Sequence, residues 1–300
     1  MTLAARWLIA LGLSFAASAL AGKGPGSPPG QPPEHSAAPR ISRVQLGTGV
    51  ELEVYSQGSS QGVPVIFLHG YTDTWHSFDL NLQRIPRSYR VYALTQRGHG
   101  NSSKPATGYA QSDFVADVIA FMNAKGIARA HVVGHSMGSL VAHKLAAEHP
   151  QRVRKLVLIG SGPTAAGNPV VDWLLGVVDT LTDPVDPDFV AEFQSSTFHR
   201  PVPSWYLDTM IAESQKVPVS VWQQAGQSMA VEDHVAALGS ITAPTLVIWG
   251  DQDGFFGRED QDALVSLIPD ATLKVYRQTG HAPHAEQPSI FLNDLLGFLR

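Results

Sequence analysis

Short, unbroken apolar runs recur along this chain, each closed by a glycine-containing turn and followed by a stretch with helical spacing. Val63 to Leu68, Arg90 to Thr95, Ala130 to Val133, Lys155 to Ile159 and Pro244 to Trp249 read as strands. Their continuity, without polar alternation, is the mark of strands covered on both faces, as in a parallel sheet. Helices are predicted up to about Arg84 and over Ser112 to Lys125, Met137 to His149 and Glu259 to Ile268, with a last strand near Ala271 to Tyr276. Two earlier strands, Ile41 to Leu46 and Val50 to Tyr55, flank Gly47-Thr48-Gly49, a hairpin turn. Strand and helix alternating in this way predict an α/β domain with a doubly wound, mostly parallel sheet. Between about Thr164 and Asp233 the rhythm breaks into aromatic and aliphatic residues separated by prolines.

The N-terminus has another character. Arg6 precedes the apolar run Trp7 to Ala17, and Ala19-Leu20-Ala21 is a small-x-small cleavage signal, so residues 1–21 read as a secretory signal peptide. The run is short for a membrane span, which needs about 18 apolar residues or more. Export to the periplasm or the medium is the expectation, with no stable span after cleavage. Residues 22–40 are rich in proline and glycine and read as a linker. The chain has no cysteine, so the exported domain is expected to hold together without disulfides. With 44% hydrophobic and 16% charged residues and a formal net charge of −5, nothing points to nucleic acid.

Candidate chemistry centres on Gly134-His135-Ser136-Met137-Gly138, which lies between a strand and a helix. This G-x-S-x-G spacing at a strand-to-helix turn is that of a nucleophile elbow. The helix folds back so closely that side chains at 134 and 138 would collide, and the strained serine is lifted clear of the sheet. The N–H of Met137 opens the helix beside it, at the positive end of its dipole. The bland alternative is a strand-to-helix turn with an ordinary capping serine. His281-x-x-His284 lacks a third ligand at recognisable spacing, so no metal site is expected. No cofactor motif is present either.

His69-Gly70, the Arg97-Gly98-His99-Gly100-Asn101-Ser102 loop and the Ser136 elbow stand in an order that resembles the α/β-hydrolase fold family, across about residues 41–163 and 240–300. The resemblance implies a core of residues 41–163 and 234–300, with a helical cap, 164–233, inserted in it. It implies one oxyanion-hole N–H at Tyr71 and the second at Met137. Thr95-Gln96 departs from the family, which usually carries an acid two places before the arginine. Chain order in the family is serine, acid, histidine, and both later members follow strands in the last third. The residues leave Asp251 or Asp253, and His281 or His284, open as acid and base. The family pattern selects Asp253, three residues after Gly250, and His281, with Glu286 and Pro288 completing the pattern.

The implied activity is a serine hydrolase, most simply a carboxylesterase, acting through Ser136, His281 and Asp253 on a small-molecule ester or related apolar acyl substrate. Serine at 136 argues against the dehalogenases and epoxide hydrolases of the fold, which use aspartate. A lactonase, a cofactor-free haloperoxidase or perhydrolase, and a carbon–carbon bond hydrolase are the rivals. A hydrolase-like protein that only binds its ligand is the rival of another class. Within the cap, Trp173, Trp205 and Trp222 are the first candidates for lining an apolar pocket.

Overall fold

The apolar runs become neighbours in one sheet. The computed structural model describes residues 37–300; the expected signal peptide and most of the linker lie outside them. The strands are β1 (Ala37–Gln45), β2 (Glu51–Gly58), β3 (Val63–Leu68), β4 (Tyr89–Leu94), β5 (Ala130–His135), β6 (Val153–Ile159), β7 (Thr245–Gly250) and β8 (Ala271–Tyr276). They are ordered β1-β2-β4-β3-β5-β6-β7-β8. β1 pairs antiparallel with β2 and β2 with β4, and every later pair is parallel.

Alternate residues of the apolar runs feed two cores. Ile66, Leu68, Val132, Leu156 and Leu158 pack on one face, and Val65, Phe67, Val133, Val157 and Ile159 on the other. The first face is covered by α2 (Gln111–Ala124), α3 (Met137–Glu148) and α8 (Arg258–Leu267), through Phe114, Val118, Leu140 and Leu264. The second is covered by α9 (Pro288–Leu299), through Phe291 and Leu295, and by a 3-10 turn with the short α1 (Asp79–Leu82), through Phe78 and Leu82. Both faces being covered is why these strands carry no polar alternation.

Two boundaries differ from expectation. β1 starts at Ala37, inside the expected linker, because it is an edge strand whose pairing with β2 uses the backbone and needs no apolar side chains; its register shifts between Ala37 and Arg40. The helix expected up to Arg84 is only the turn Trp75–Phe78 followed by α1.

Between β6 and β7 lie α4 (Pro169–Val178), α5 (Pro187–Ser196), α6 (Ser204–Ser214) and α7 (Val219–Val231). Asn168 and Asp186 cap the first two, accepting from Val170 N and Asp188 N at 2.9 Å, and a proline follows each cap. α4 packs on α7 and α5 on α6, forming a lid over the ends of the strands. Among the described residues no helix is long and apolar enough to cross a membrane.

Candidate active site

The loops after β3, β5, β7 and β8 emerge at one edge of the sheet, the carboxyl ends of its parallel strands. Ser136 sits between β5 and α3 with φ 51° and ψ −121°, a conformation that disfavours a residue bearing Cβ. Its N–H donates to Ile159 O at 2.9 Å, which fixes the turn to β6. The flanking glycines are required by contact. A Cβ at Gly134 would lie 2.3 Å from Gly138 O, and one at Gly138 would lie 2.3 Å from Leu68 O.

His281 and Asp253 meet in the same place. His281 Nδ1 lies 2.9 Å from both carboxylate oxygens of Asp253. The acid's side chain is fully buried. It also accepts from Phe255 N at 2.8 Å and Phe256 N at 3.3 Å, and that loop is held by Trp249, whose indole donates to Phe256 O. Asp251 instead bonds Gln252 beside it. His284 is buried against Ser77 and Phe78 and does not reach the cavity. Burial lowers its pKa to about 3.

The His281 loop is pinned by a residue whose physical role the sequence left unread. Glu286 accepts from the backbone N–H of Gly280 (2.9 Å), His199 (3.1 Å) and Arg200 (2.7 Å). Burial raises its pKa, and these N–H groups oppose the rise. It thus ties the His281 loop to the end of α5, as does His281 N donating to Thr197 O at 2.9 Å.

On the other side stands the loop after β3. His69 Nε2 accepts the N–H of Gln96 at 2.9 Å, so its Nδ1 carries the proton and donates to Gly70 O at 2.8 Å. Thr95, at the position where the family usually has an acid, links the same region through its hydroxyl: it accepts from Trp75 N and donates to Glu53. The backbone N–H groups of Tyr71 and Met137 have no protein acceptor among the described residues. Asp73 lies at the polar end of the cavity, held by Gln194 at 2.9 Å, and burial raises its pKa to about 6.

The cavity is lined by Gly70, Tyr71, Asp73, Ser136, Met137 and His281 from the core, and by Leu174, Leu175, Phe193, Phe198, Met210 and Met229 among others from the helical layer above. None of the expected tryptophans lines it. Trp205 is 52% exposed, and Trp173 lies outside the cavity wall. Trp222 is fully buried behind Tyr71, packed edge-on to it and to Phe193. Among the described residues no cluster of three His, Cys, Asp or Glu stands ready to hold a metal.

The model of the alpha/beta hydrolase fold matches residues 63–288. The chain belongs to this family. The hydrolase is 27% identical to the 2-hydroxy-6-oxononadienedioate/2-hydroxy-6-oxononatrienedioate hydrolase 2 of Pseudomonas putida over 283 residues, covering 88% of this chain and 97% of that protein. It is 28% identical to a non-heme chloroperoxidase of Streptomyces lividans, covering 87% of this chain and all of that protein. A solved esterase from Exiguobacterium antarcticum superposes with a TM-score of 0.78 at 24% identity, over 86% of this chain and 98% of that one, a likeness of fold.

Proposed function

We propose that this hydrolase cleaves neutral carboxylic esters through an acyl-enzyme. Ser136 Oγ attacks the ester carbonyl while His281 Nε2 takes its proton, Asp253 holding the imidazole through Nδ1. The oxyanion is met by the N–H groups of Tyr71 and Met137, the latter at the start of α3. His281 then returns the proton to the leaving alcohol, and water releases the acid by the same steps. The observation that carries this reading over a carbon–carbon hydrolase is the wall of the cavity. The Pseudomonas relative is named for dioate substrates, yet none of the described residues lining this cavity is Arg or Lys, and the one carboxylate among them is Asp73. A dicarboxylate would bury a carboxylate without a counter-ion, which costs several kcal/mol.

Two results test the reading. p-Nitrophenyl butyrate should be turned over at least roughly tenfold more efficiently than an aryl ester of the same length ending in a carboxylate. Preference for the charged ester, or cleavage of a vinylogous diketone without ester turnover, would overturn it. Chain-length preference should respond to the residues that line the cavity: Leu174→Ala or Phe198→Ala should shift the kcat/KM ranking towards longer acyl chains, each methylene accommodated being worth about 0.8 kcal/mol. Trp205→Ala should leave that ranking unmoved. Trp222→Ala should lower stability by about 3–5 kcal/mol, as expected for a buried aromatic.

A further inference from the structure

The loop that carries Tyr71 is fastened to the helical layer at successive residues. Tyr71 Oη donates to Trp222 O of α7. Ser214 Oγ, at the end of α6, donates to Thr72 O at 3.0 Å and lies 3.0 Å from Thr72 Oγ1. Gln194 Nε2, from α5, donates to Asp73 Oδ1 at 2.9 Å and to Ser214 Oγ at 2.7 Å. Tyr206 Oη, from α6, donates to Ser77 O at 2.7 Å.

Hydrogen accounting makes the centre of this clasp directional. A carbonyl only accepts, so Ser214 spends its one hydrogen on Thr72 O. Thr72 Oγ1 must then donate to Ser214 Oγ, which also receives one N–H of Gln194; the other N–H goes to Asp73. Gln194 is 2% exposed, and Thr72 and Ser214 are fully buried. Water therefore does not substitute cheaply for any of these partners. Thr72 itself has φ 63°, an outlying conformation for a β-branched residue, which persists only where surroundings impose it. Within the loop the turn is closed by Asp73 N donating to Gly70 O at 3.3 Å; the groups that hold Thr72 in it from outside the loop come from α5 and α6.

We infer that Gln194 and Ser214 are positioning residues that couple seating of the helical layer to the oxyanion hole, holding Thr72 in its strained turn so that the preceding Tyr71 N–H is aimed at the reacting oxygen. This rests on the assignment of Ser136 as nucleophile and of Tyr71 N–H as oxyanion donor. If the layer lifts to admit substrate, the clasp opens, Thr72 relaxes and the hole is incomplete. The hole is assembled when the layer closes again over bound substrate.

The test uses Ser214→Ala and Gln194→Met, which delete donors with little change in volume, on the full chain. On p-nitrophenyl acetate each should lower kcat about ten- to hundredfold, less than outright loss of an oxyanion donor, with KM within about threefold. The rate of Ser136 labelling by a fluorophosphonate, which develops the same oxyanion without needing ester turnover, should fall by a similar factor. The double variant should be little worse than either single, since both serve one turn. Trp205→Phe, on the exposed face of α6, should leave both readouts unchanged. Circular dichroism establishes that each variant is folded at the assay temperature; if one is not, the other carries the same expectation. Folded variants with unaltered kcat and labelling, or with KM alone raised, would overturn the coupling. Wild-type protein that labels but does not hydrolyse esters would overturn the ester reading while the labelling rates still decide the clasp. Wild-type protein that does not label at all would overturn both.

Discussion

Replacing Ser136 with alanine should lower kcat on the preferred ester by about four orders of magnitude or more, because a member of a Ser-His-acid unit fails as the whole unit fails. The fold should survive, since alanine occupies less space than serine and the glycines that allow the turn remain. His281→Ala should match that loss, and Asp253→Asn should approach it: an amide keeps the shape but can leave the imidazole in the wrong tautomer. The discriminating comparison lies in their neighbours. Asp251→Asn touches only an exposed contact with Gln252 and should stay within roughly tenfold of wild type. His284→Ala removes a buried ring packed on Phe78 and Phe291, so its loss should appear in the thermal midpoint before it appears in kcat. Ser136→Ala retaining more than about a tenth of wild-type activity would remove the nucleophile assignment. A reversal within either neighbouring pair would mean that another acid or base serves it.

These comparisons follow the line between what the residues determine alone and what they do not. The strand β3 was legible to the residue, because a continuous apolar run between turn signals has few other readings; β8 was also legible, although Thr272 and Lys274 interrupt its apolar residues. The elbow was legible because only glycine fits at 134 and 138, where any Cβ would meet backbone. The choice of Asp253 over Asp251 and of His281 over His284 was not carried by spacing; it needed the family pattern. Both pairs follow the ends of strands, with His284 in the one-turn helix Pro283–Glu286, and there two neighbours in sequence say nothing about direction in space. The cavity wall was illegible for a different reason. The aromatic content of the helical layer announces burial, but Trp222 buries itself behind Tyr71 and Trp205 turns outward, while Phe193 and Phe198 line the wall with Leu174, Leu175 and Met210. Composition does not tell which face of a short helix looks inward. Asp73, Gln194 and Ser214 carried no signal at all, since a polar network assembled from three elements has no period in the chain. The C-terminal helix Pro288–Leu299 was also not delineated, although Phe291, Leu292, Leu295 and Leu299 share a helical face.

The second large effect concerns stability in acid. His69, His99, His135, His143 and His284 are all buried, and burial lowers the pKa of each, to about 4 for His99 and about 3 for His284. Hydrogen bonding supports the direction at His69, where a proton on Nε2 would face the N–H of Gln96. The unfolded chain takes up a proton at each of these imidazoles near pH 6.5, whereas the folded chain does not until the lower value is reached. Between the two values the unfolded state binds more protons, so stability rises with pH there and is lost as pH falls below about 6.5. Each such histidine contributes about 1.4 kcal/mol per pH unit, so His99 alone accounts for roughly 3 kcal/mol by pH 4. Asp73 acts in the opposite sense. Its carboxyl is raised to about 6, so the folded state takes up its proton first, and the gain accumulates between about pH 6 and 4. Asp73 offsets about one lowered histidine, and Glu286, whose carboxyl burial also raises, acts in the same sense, so the acids offset some of these five histidines and not all. Chemical denaturation at pH 7 and pH 5 should therefore show a loss of several kcal/mol, with the slope appearing below about pH 6.5. His99→Gln or His284→Gln, if folded at pH 7, should flatten that slope by about one proton each. A stability that is level from pH 7 to pH 5 would mean that these imidazoles take up protons in place without opening the fold.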